Sequence, residues 1–528
     1  MKLEADYSLY LVTDSTPALL GSRYLPDVVH AAIDGGVTLV QYRIKNADTA
    51  AMIAEARALH AVTRARGVPL LINDRVDVAL AVGCEGVHVG QDDMGVAEAR
   101  RLLGPDKIVG VTAASVEEAL RGCADGADYL GIGTVFSTST KTNTKHIIGT
   151  AGVKAILSAL AASPYAAVKT VCIGGLTTAN IPRVLYQSAS PHKSLDGIAL
   201  VSAIISAPDP RTAASELLHL VKMPPAFMRQ TLPGPLVVAA NEMVRFAPSV
   251  VRLVHETRPL SHNMTNLVVQ NFAANVALAV GASPIMASYG REAEDLAKLG
   301  GALVVNMGTV TPEGLENYKQ AVQAYNQAGQ PIVLDPVGAG ATHIRRNAVN
   351  ELLAAGYYDV IKGNEGEIQT VWNTQRIPQQ RGVDSASLLT LLQRASLVCS
   401  LARRERNVIL MTGAVDVVSD GTRTYAVRNG HPFLGDVTGT GCVLGTAVSA
   451  ALAAYPQDKL AACVAAMLLY EVAAEMAAER QDVQGPGTFA VAFIDELYKL
   501  RMATAAGDLR WLVIAKLEEI QVTEDFAE

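Results

Sequence analysis

The stretch Gln41-Tyr42-Arg43-Ile44-Lys45 follows the apolar run Gly36-Val37-Thr38-Leu39-Val40. β-Branched and apolar residues predict a strand here, and side chains on a strand alternate between its two faces. Gln41, Arg43 and Lys45 therefore share one face. If that face lines a barrel, the two cations require an anionic partner, because a buried unpaired charge is strongly destabilising. The alternatives are an edge strand with a solvated face, or pairing with carboxylates elsewhere in the chain.

Seven further β-type runs accompany this one in the first half of the chain, with helical segments such as Thr49–Arg66 and Val116–Ala124 between most of them. In chain order, the eight runs are Leu9–Asp14, Thr38–Lys45, Val68–Asp74, Gly86–Gly90, Ile108–Ala113, Tyr129–Phe136, Lys169–Gly175 and Gly197–Ser202. Strict β/α alternation over eight strands favours a (β/α)₈ TIM barrel over a doubly wound sheet.

Composition sets the class of the protein and the nature of its partners. The chain has 528 residues, of which 50% are hydrophobic and only 5% aromatic, with 43 glycines. This length predicts two or more domains, and this composition is typical of α/β proteins. The formal net charge of −7 argues against a nucleic-acid partner. Phosphorylated substrates then require local clusters of cations, because the overall field repels them.

Cysteine usage and hydropathy predict a cytoplasmic protein without membrane spans. The six cysteines are widely spaced and form no CxxC pair, which is typical of reduced intracellular thiols. The first residues, Met-Lys-Leu-Glu-Ala-Asp, lack the apolar core of a secretory leader. Residues 261–290 carry no charge but contain four asparagines, which hydrocarbon would not accept cheaply. We expect a buried helix there, with its polar end facing a pocket.

Polar residues follow the predicted strands of the first half. Chemistry in a TIM barrel lies at the carboxyl ends of the strands, so these residues should converge on one rim. They are Gln41/Arg43/Lys45, Asn73-Asp74, Gln91-Asp92-Asp93, Thr112, Thr138–Lys141, Gly174-Gly175 and Val201-Ser202. Carboxylates beside cations suit Mg²⁺ and a diphosphate. Taken singly, Asn73-Asp74 could form a turn or helix cap, and the glycines and threonines could belong to ordinary loops.

Together these motifs resemble those of thiamine-phosphate synthase over residues 5–221. The resemblance implies that hydroxymethylpyrimidine diphosphate is joined to a thiazole phosphate, with release of pyrophosphate. It places the pyrimidine diphosphate on Gln41, Arg43, Lys45, Asn73, Thr112 and Lys141. It places the thiazole phosphate on Thr138, Ser139, Thr140, Gly175, Val201 and Ser202. Asp74 and Asp93 would bind Mg²⁺, and no side-chain nucleophile is required.

A proline-rich segment separates this half from a second one. Residues 222–235 contain four prolines, which disrupt both helix and sheet, so we place a domain boundary there. The expected domains are 1–222, a linker at 223–235, a second domain at 236–503 and a C-terminal extension at 504–528. Strand-like runs in the second domain, separated by helices, predict a doubly wound α/β sheet. These runs are Ala302–Met307, Pro331–Asp335, Val360–Gly363 and Val408–Thr412.

The second half contains Gly435-Asp-Val-Thr-Gly-Thr-Gly-Cys442 before the apolar helical run Val443–Tyr455. A glycine-rich turn at a helix N-terminus exposes amide groups that bind anions. The motif resembles that of hydroxyethylthiazole kinase, a ribokinase-like kinase, over about residues 236–500. The resemblance implies transfer of the ATP γ-phosphate to a thiazole alcohol, with Cys442 as the base. We expect the helix N-terminus to lower the pKa of this thiol.

The same resemblance assigns further residues of the second half. It implies thiazole contacts by Asn266, Met286 and Gly439, and a Mg²⁺ ligand at Glu367. It implies ATP contacts by Arg345, Thr412, Asn364, Thr440 and Gly441. The pair Arg345-Arg346 leaves open which of the two arginines reaches ATP.

Three interpretations of the whole chain follow. The favoured one is a bifunctional thiamine-biosynthesis enzyme whose kinase half supplies its synthase half, working on small molecules and assembled as a homo-oligomer (trimer or hexamer). The second keeps the kinase and makes the barrel a thiazole tautomerase. The third is a non-catalytic sensor of thiamine metabolites. The first is favoured over the second by the diphosphate-type set Gln41, Arg43, Lys45, Asp74, Asp93 and Lys141. It is favoured over the third by the presence of Cys442 and of the acidic pair Asp74 and Asp93.

Overall fold

The computed structural model describes residues 4–45, 47–138, 146–228, 237–373 and 389–526. The chain divides into two compact units, Met1–Pro225 and Ala226–Glu528. The division falls inside the proline-rich segment. Phe227 belongs to the second unit, where its ring stacks on Tyr357 with centroids 4.3 Å apart.

The described part of the first unit contains eight parallel strands that close into a barrel in chain order, as predicted. The strands are β1 (Leu9–Val12), β2 (Leu39–Tyr42), β3 (Leu70–Asn73), β4 (Gly86–Val89), β5 (Ile108–Ala113), β6 (Tyr129–Gly133), β7 (Lys169–Ile173) and β8 (Gly197–Leu200). The barrel closes where Tyr10 of β1 pairs with Ala199 of β8.

Helices follow the strands of the barrel and cover its outer face. They are α1 (Pro17–Leu20), α2 (Leu25–Asp34), α3 (Thr49–Ala65), α4 (Val76–Val82), α5 (Val96–Leu103), α6 (Val116–Ala124), α7 (Gly149–Ala161), α8 (Ile181–Ser188), α9 (Ser202–Ile205) and α10 (Pro210–Lys222). The large apolar core lies between strands and helices, and a second cluster, including Leu39, Leu71 and Ile108, lies apart from it. The buried strands therefore fix the positions of the loops at their carboxyl ends, and these loops carry the rim residues.

The expectation that Gln41, Arg43 and Lys45 share an inward strand face is only partly met. Strand β2 ends at Tyr42, so the alternation of faces extends to Gln41 but not to the two cations. Gln41 is buried, Arg43 is half-buried, and Lys45 is exposed. The cations thus avoid the desolvation that a place inside the barrel would impose.

The second unit contains a nine-stranded sheet within its described residues, in the order β10-β9-β11-β12-β13-β14-β15-β16-β17. Its strands are β9 (Leu260–Met264), β10 (Ser283–Ile285), β11 (Ala302–Asn306), β12 (Ile332–Asp335), β13 (Val360–Asn364), β14 (Val408–Thr412), β15 (Asp416–Ser419), β16 (Thr424–Val427) and β17 (Leu517–Glu519). Strands β9–β14 pair in parallel, and β15, β16 and β17 extend the sheet through antiparallel pairs. From β9 the chain first adds β10 on one side and then β11 on the other, so the strand order reverses beside β9. Ligand sites of open α/β sheets lie at such points, at the carboxyl ends of the strands.

Helices lie on both faces of this sheet. They are α11 (Ala240–Thr257), α12 (Gln270–Val280), α13 (Ala293–Lys298), α14 (Pro312–Ala328), α15 (His343–Ala355), α16 (Glu365–Trp372), α17 (Leu391–Glu405), α18 (Phe433–Asp436), α19 (Thr440–Ala454), α20 (Lys459–Ala478) and α21 (Pro486–Ala505). Among the described residues, one helix, α20, is long and apolar enough to cross a membrane, but 89% of its apolar window is buried inside the protein. It is the central helix of the core of this unit.

One part of the second unit differs from expectation. Residues 261–290 are not one buried helix but most of strand β9, helix α12 and strand β10. The four asparagines of this stretch are divided between these elements: Asn263 lies in β9, Asn266 follows β9, and Asn271 and Asn275 lie in α12. The predicted C-terminal extension contains the end of α21, which continues to Ala505, and β17, which pairs with β16 at the edge of the sheet.

Candidate active sites

The barrel rim brings together two carboxyl groups and a cation. Asp74 follows β3 in a left-handed conformation (φ 61°), and its carboxyl group is hydrogen-bonded to that of Asp93. Burial and this second carboxyl group raise the pKa of Asp74 to about 6, and nearby Arg43 opposes the rise. The backbone N–H of Gly90 donates to Asp93 Oδ2 at 2.8 Å, which fixes that carboxyl group. Two carboxyl groups in contact repel each other once ionised, so the pair suits a divalent cation.

A chain of side-chain hydrogen bonds starts at Gln41 and ends at Thr112. Gln41 Nε2 donates to the Tyr10 hydroxyl at 2.6 Å, and the hydroxyls of Tyr10 and Tyr129 are 2.7 Å apart. His88 Nδ1 lies 2.8 Å from the Tyr129 hydroxyl, and His88 Nε2 lies 2.9 Å from Thr112 Oγ1. The chain joins strands β1, β2, β4, β5 and β6. We call Tyr10, Tyr129 and His88 the polar relay.

The remaining rim residues lie at the ends of their strands. Asn73 is the half-buried last residue of β3, and Thr138 is half-buried beyond β6. Gly174 and Gly175 have φ values of 105° and 65°, and a Cβ at Gly175 would lie 2.6 Å from the carbonyl oxygen of Ser137. Val201 follows β8, and Ser202 begins α9. The predicted residues Ser139, Thr140 and Lys141 lie outside the described residues.

The second unit has a chain of polar contacts at the carboxyl ends of β9, β11, β12 and β13. Asn266 Nδ2 lies 3.5 Å from Cys442 Sγ and donates to Asn306 Oδ1 at 3.0 Å. Asn306 Nδ2 donates to Asp335 Oδ2 at 2.8 Å. Lys362 Nζ donates to the same oxygen at 3.0 Å and to the carbonyl of Gly441 at 2.8 Å.

These groups are deeply buried. The side chains of Lys362 and Asp335 are 4% and 0% exposed. Burial raises the pKa of Asp335, although the charge of Lys362 opposes the rise. Asp335 Oδ1 is buried and accepts no hydrogen bond from any residue that the structure describes. A buried carboxylate oxygen of this kind requires a partner, and a cation supplies one.

Comparison with known proteins identifies both units. Residues 9–204 match the family model described as thiamine monophosphate synthase, and residues 251–503 match the hydroxyethylthiazole kinase family. The chain is 44% identical over 529 residues to the "Probable thiamine biosynthetic bifunctional enzyme" of Schizosaccharomyces pombe, covering 99% of this chain and 100% of that protein. This chain belongs to the family of thiamine biosynthetic bifunctional enzymes.

Two further relatives agree with this membership. The "Thiamine biosynthetic bifunctional enzyme" of Saccharomyces cerevisiae is 40% identical over 537 residues, covering 94% of this chain and 96% of that protein. The "Hydroxyethylthiazole kinase" of Moorella thermoacetica is 45% identical over 247 residues, covering 47% of this chain and 90% of that protein. The predicted fusion of a thiamine-phosphate synthase with a hydroxyethylthiazole kinase is thus confirmed, whereas assembly as a homo-oligomer stays a prediction. The first unit is the synthase unit and the second is the kinase unit.

Cys442 is the third residue of α19 in the kinase unit, and the expected fall in the pKa of its thiol does not occur. Burial, with the nearby carboxyl group of Asp335, raises the pKa of Cys442 to about 11, although Lys362 opposes the rise. Cys442 lies in the first turn of α19, where the effect of the helix N-terminus is worth at most about 2 kcal/mol. Desolvation is the larger effect here, so the thiol is neutral at pH 7.

Glu367, the predicted metal ligand of the kinase unit, is held by backbone groups. It forms a capping box with Asn364, whose Oδ1 accepts from Glu367 N at 2.9 Å while Glu367 Oε2 accepts from Asn364 N at 2.8 Å. Glu367 Oε1 accepts from Gly338 N at 2.7 Å. Burial, together with Asp335, raises the pKa of Glu367 to about 7. Asn364 therefore caps α16, a structural role beside its predicted contact with ATP.

Arg345 occupies a structural position in the kinase unit. Its guanidinium donates to the carbonyl oxygens of Met307, Gly308 and Val337 at 3.1, 2.8 and 2.8 Å. Three carbonyls after β11 and β12 thus engage both terminal nitrogens. Arg346 donates to the carbonyl of Gly340 at 3.0 Å. Both arginines fix loops in this structure, and contact of either with ATP remains a prediction.

The other predicted kinase residues surround the N-terminus of α19 or end strands. Gly439 has φ 93°, and a Cβ there would overlap Val269. Thr440 is buried, its hydroxyl proton lies between the carbonyls of Leu434 and Val437, and its own carbonyl accepts from the Tyr470 hydroxyl at 2.7 Å, so its contact with ATP stays a prediction. Gly441 is exposed, Thr412 is the half-buried last residue of β14, and Met286 is half-buried just after β10.

The residues that sequence reasoning missed share one property. The polar relay and Asn306 lie inside strands, where Tyr, His and Asn read as ordinary members of a buried run. A usable signal is a polar residue within an otherwise apolar strand, since such a residue needs a hydrogen-bond partner when it is buried.

Proposed function

We propose that the two units catalyse consecutive reactions. The kinase unit transfers the γ-phosphate of ATP to the hydroxyl of hydroxyethylthiazole. The synthase unit joins the resulting thiazole phosphate to hydroxymethylpyrimidine diphosphate, forming thiamine phosphate and pyrophosphate. The observation that carries the second reaction is the contact of Asp74 with Asp93 beside Arg43 at the barrel rim.

Asp74 and Asp93 are the residues that would hold Mg²⁺ in the synthase unit. Among the described residues, no group of three or more His, Cys, Asp or Glu side chains could hold a metal ion. Two carboxylates completed by substrate phosphates are the usual arrangement for Mg²⁺. When bound, the ion supplies positive charge that stabilises the leaving pyrophosphate.

The side chains of the rim bind and orient both substrates. The pyrimidine diphosphate would be bound by Gln41, Arg43, Lys45, Asn73 and Thr112, with Lys141. The bond from the pyrimidine methylene carbon to the diphosphate oxygen breaks, and the electron pair leaves with pyrophosphate. The thiazole nitrogen then donates its lone pair to this carbon. The backbone of Gly175, Val201 and Ser202, with Thr138–Thr140, would hold the thiazole phosphate in line.

In the kinase unit, Asn266, Met286 and Gly439 would bind the thiazole, with its hydroxyl directed at Cys442. The amides at the start of α19, including Gly441, would stabilise the transferred phosphoryl group. Asp335 and Glu367 would hold Mg²⁺, consistent with the unpartnered Oδ1 of Asp335. When bound, the ion supplies charge neutralisation on the ATP phosphates.

Cys442 is the proposed proton acceptor for the thiazole hydroxyl. A neutral thiol is a poor base, so the raised pKa makes the deprotonated fraction small at pH 7. Catalysis would then rest mainly on positioning and charge stabilisation, and the rate should rise with pH until another step limits it.

We also propose the domain limits 1–222, 223–235, 236–503 and 504–528 for the working enzyme, in a cytoplasmic homo-oligomer. The six cysteines are free, which supports a reducing compartment. Leu267 and Val268, beside Asn266, are 72% and 73% exposed, which supports a contact between subunits near the kinase site. Light scattering would distinguish a monomer from a trimer or a hexamer.

A single incubation tests the proposed function. The purified chain is supplied with hydroxyethylthiazole, ATP, Mg²⁺ and hydroxymethylpyrimidine diphosphate, and thiamine phosphate is measured by chromatography. We expect thiamine phosphate to form only when all four are present. Supplying thiazole phosphate should remove the need for ATP. Formation of thiazole phosphate without thiamine phosphate would refute the role of the synthase unit.

A further inference from the structure

The polar relay occupies space that the barrel reserves for it. Tyr10 and Tyr129 are 1% and 0% exposed, and His88 is 9% exposed. A side chain at Gly110 would overlap the Tyr129 ring, and a Cβ at Gly131 would lie 2.9 Å from His88 Cε1. Glycines on β5 and β6 thus make room for the relay.

The hydrogen bonds of the relay have a single consistent direction. Gln41 Nε2 can only donate, so the Tyr10 oxygen accepts, and its own proton points to Tyr129. Tyr129 in turn donates to His88 Nδ1. A neutral imidazole with an accepting Nδ1 carries its proton on Nε2 and donates it to Thr112 Oγ1.

Burial keeps the two tyrosines of the relay neutral and so preserves the direction of their hydrogen bonds. It raises the pKa of both Tyr10 and Tyr129 above the ordinary value for tyrosine, so both hydroxyls keep their protons. With the amide nitrogen of Gln41 engaged, its Oε1 is left to accept. With Thr112 Oγ1 already accepting from His88, its O–H is left to donate. The two ends of the relay therefore present opposite hydrogen-bonding groups.

We propose that the polar relay makes the synthase site specific for an aminopyrimidine over its oxo analogue. The amino group of the substrate donates to Gln41 Oε1, and the adjacent ring nitrogen accepts from the Thr112 hydroxyl. An oxopyrimidine presents the reverse, a carbonyl and a ring N–H, and leaves both ends unpaired. Tyr10, Tyr129 and His88 are then positioning residues. This inference rests on the proposed role of Gln41 and Thr112 in pyrimidine binding.

Sites built to hydrogen-bond a substrate reject a mismatched analogue strongly, because buried polar groups lose their partners. We expect the wild-type chain to favour hydroxymethylpyrimidine diphosphate over its 4-oxo analogue by at least about 100-fold in kcat/KM. Tyr129→Phe removes the central hydroxyl and keeps the ring. It should reduce this ratio at least about tenfold, mainly through a higher KM for the amino substrate.

Tyr7→Phe is the matched control. The ring of Tyr7 packs against that of Tyr129 with centroids 5.0 Å apart, but its hydroxyl does not belong to the relay. We expect the ratio of kcat/KM for the amino substrate to that for the oxo analogue to be the same in Tyr7→Phe as in the wild type. His88→Phe, which keeps a ring and removes both nitrogens, is the second variant, and it should reduce the ratio as Tyr129→Phe does. Kinase turnover of the same preparations shows that the chain is intact.

The outcomes separate this inference from the proposed function. A reduced ratio in both relay variants with an unchanged ratio in Tyr7→Phe supports it. Equal losses for the amino and oxo substrates would overturn it, because the relay would then support the barrel only. A wild-type chain that accepts both substrates equally would also overturn it, yet formation of thiamine phosphate would leave the proposed function standing. No turnover of the amino substrate would refute the proposed function itself.

Discussion

The two sites of this chain handle charge in opposite ways. In the synthase unit the cations stay at the rim, with Arg43 half-buried and Lys45 exposed. The interior beneath holds hydrogen-bonded tyrosines, Tyr10 and Tyr129, that burial keeps neutral. In the kinase unit the ions themselves are buried, because Asp335, Lys362 and Glu367 are all less than 5% exposed. The first site depends on incoming ligands to complete its electrostatics. The second site forms as the kinase unit folds, so a substitution that disrupts it should lower both the activity and the stability of this unit.

The largest expected effect follows from breaking the buried ion pair of the kinase unit. Lys362→Met leaves the buried carboxyl group of Asp335 without its cation. We expect the kinase unit to lose about 3–5 kcal/mol of unfolding free energy, along with its activity. Calorimetry should show a lower transition for this unit, with the synthase rate retained. Lys298→Met, which removes exposed pairs with Glu294 and Asp295, should leave this transition where it is in the wild type.

The next effect tests the rim of the synthase unit. Asp93→Ala should lower the coupling rate by about 100-fold or more, because a carboxylate for the cation is lost. Since Asp93 is exposed, thermal stability should barely change. The neighbouring Asp92→Ala serves as the control and should keep most of the activity. Parallel loss of kinase turnover in Asp93→Ala would contradict separate sites.

A smaller effect concerns pH in the kinase unit. Because the pKa of Cys442 is raised to about 11, its deprotonated fraction increases about tenfold per pH unit below that value. If the thiolate is the base, kinase kcat should rise with pH between about 7 and 9. Cys442→Ser should be slower and lack this rise. A flat wild-type profile would exclude proton transfer to Cys442 as a rate-limiting event.

The smallest effect is expected from separating the units. A chain ending at Pro225 retains the closed barrel, and we expect its coupling of preformed thiazole phosphate to stay within about twofold of the full chain. Steady-state rates at saturating substrates would measure this. A soluble but inactive barrel would show that the synthase site depends on residues beyond 225.

The sequence predicted those features that follow a repeating local pattern. It did not predict those that depend on tertiary contacts. The eight β-type runs predicted the barrel, and residues after each strand end predicted its rim. The relay could not be predicted, because nothing local indicates that Tyr10, Tyr129 and His88 meet inside the barrel. The pKa of Cys442 was predicted in the wrong direction for the same reason. Its helix position is visible in the sequence, whereas its burial beside Asp335 is set by distant strands.

Strand β17 has a consequence for the order in which the two units mature on the ribosome. The barrel is closed by β8, so the synthase half can fold while the kinase half is still being translated. The sheet of the kinase half gains its edge strand only when residues 517–519 have emerged. Nascent chains should therefore acquire protease resistance in two steps, early for the barrel and late for the sheet.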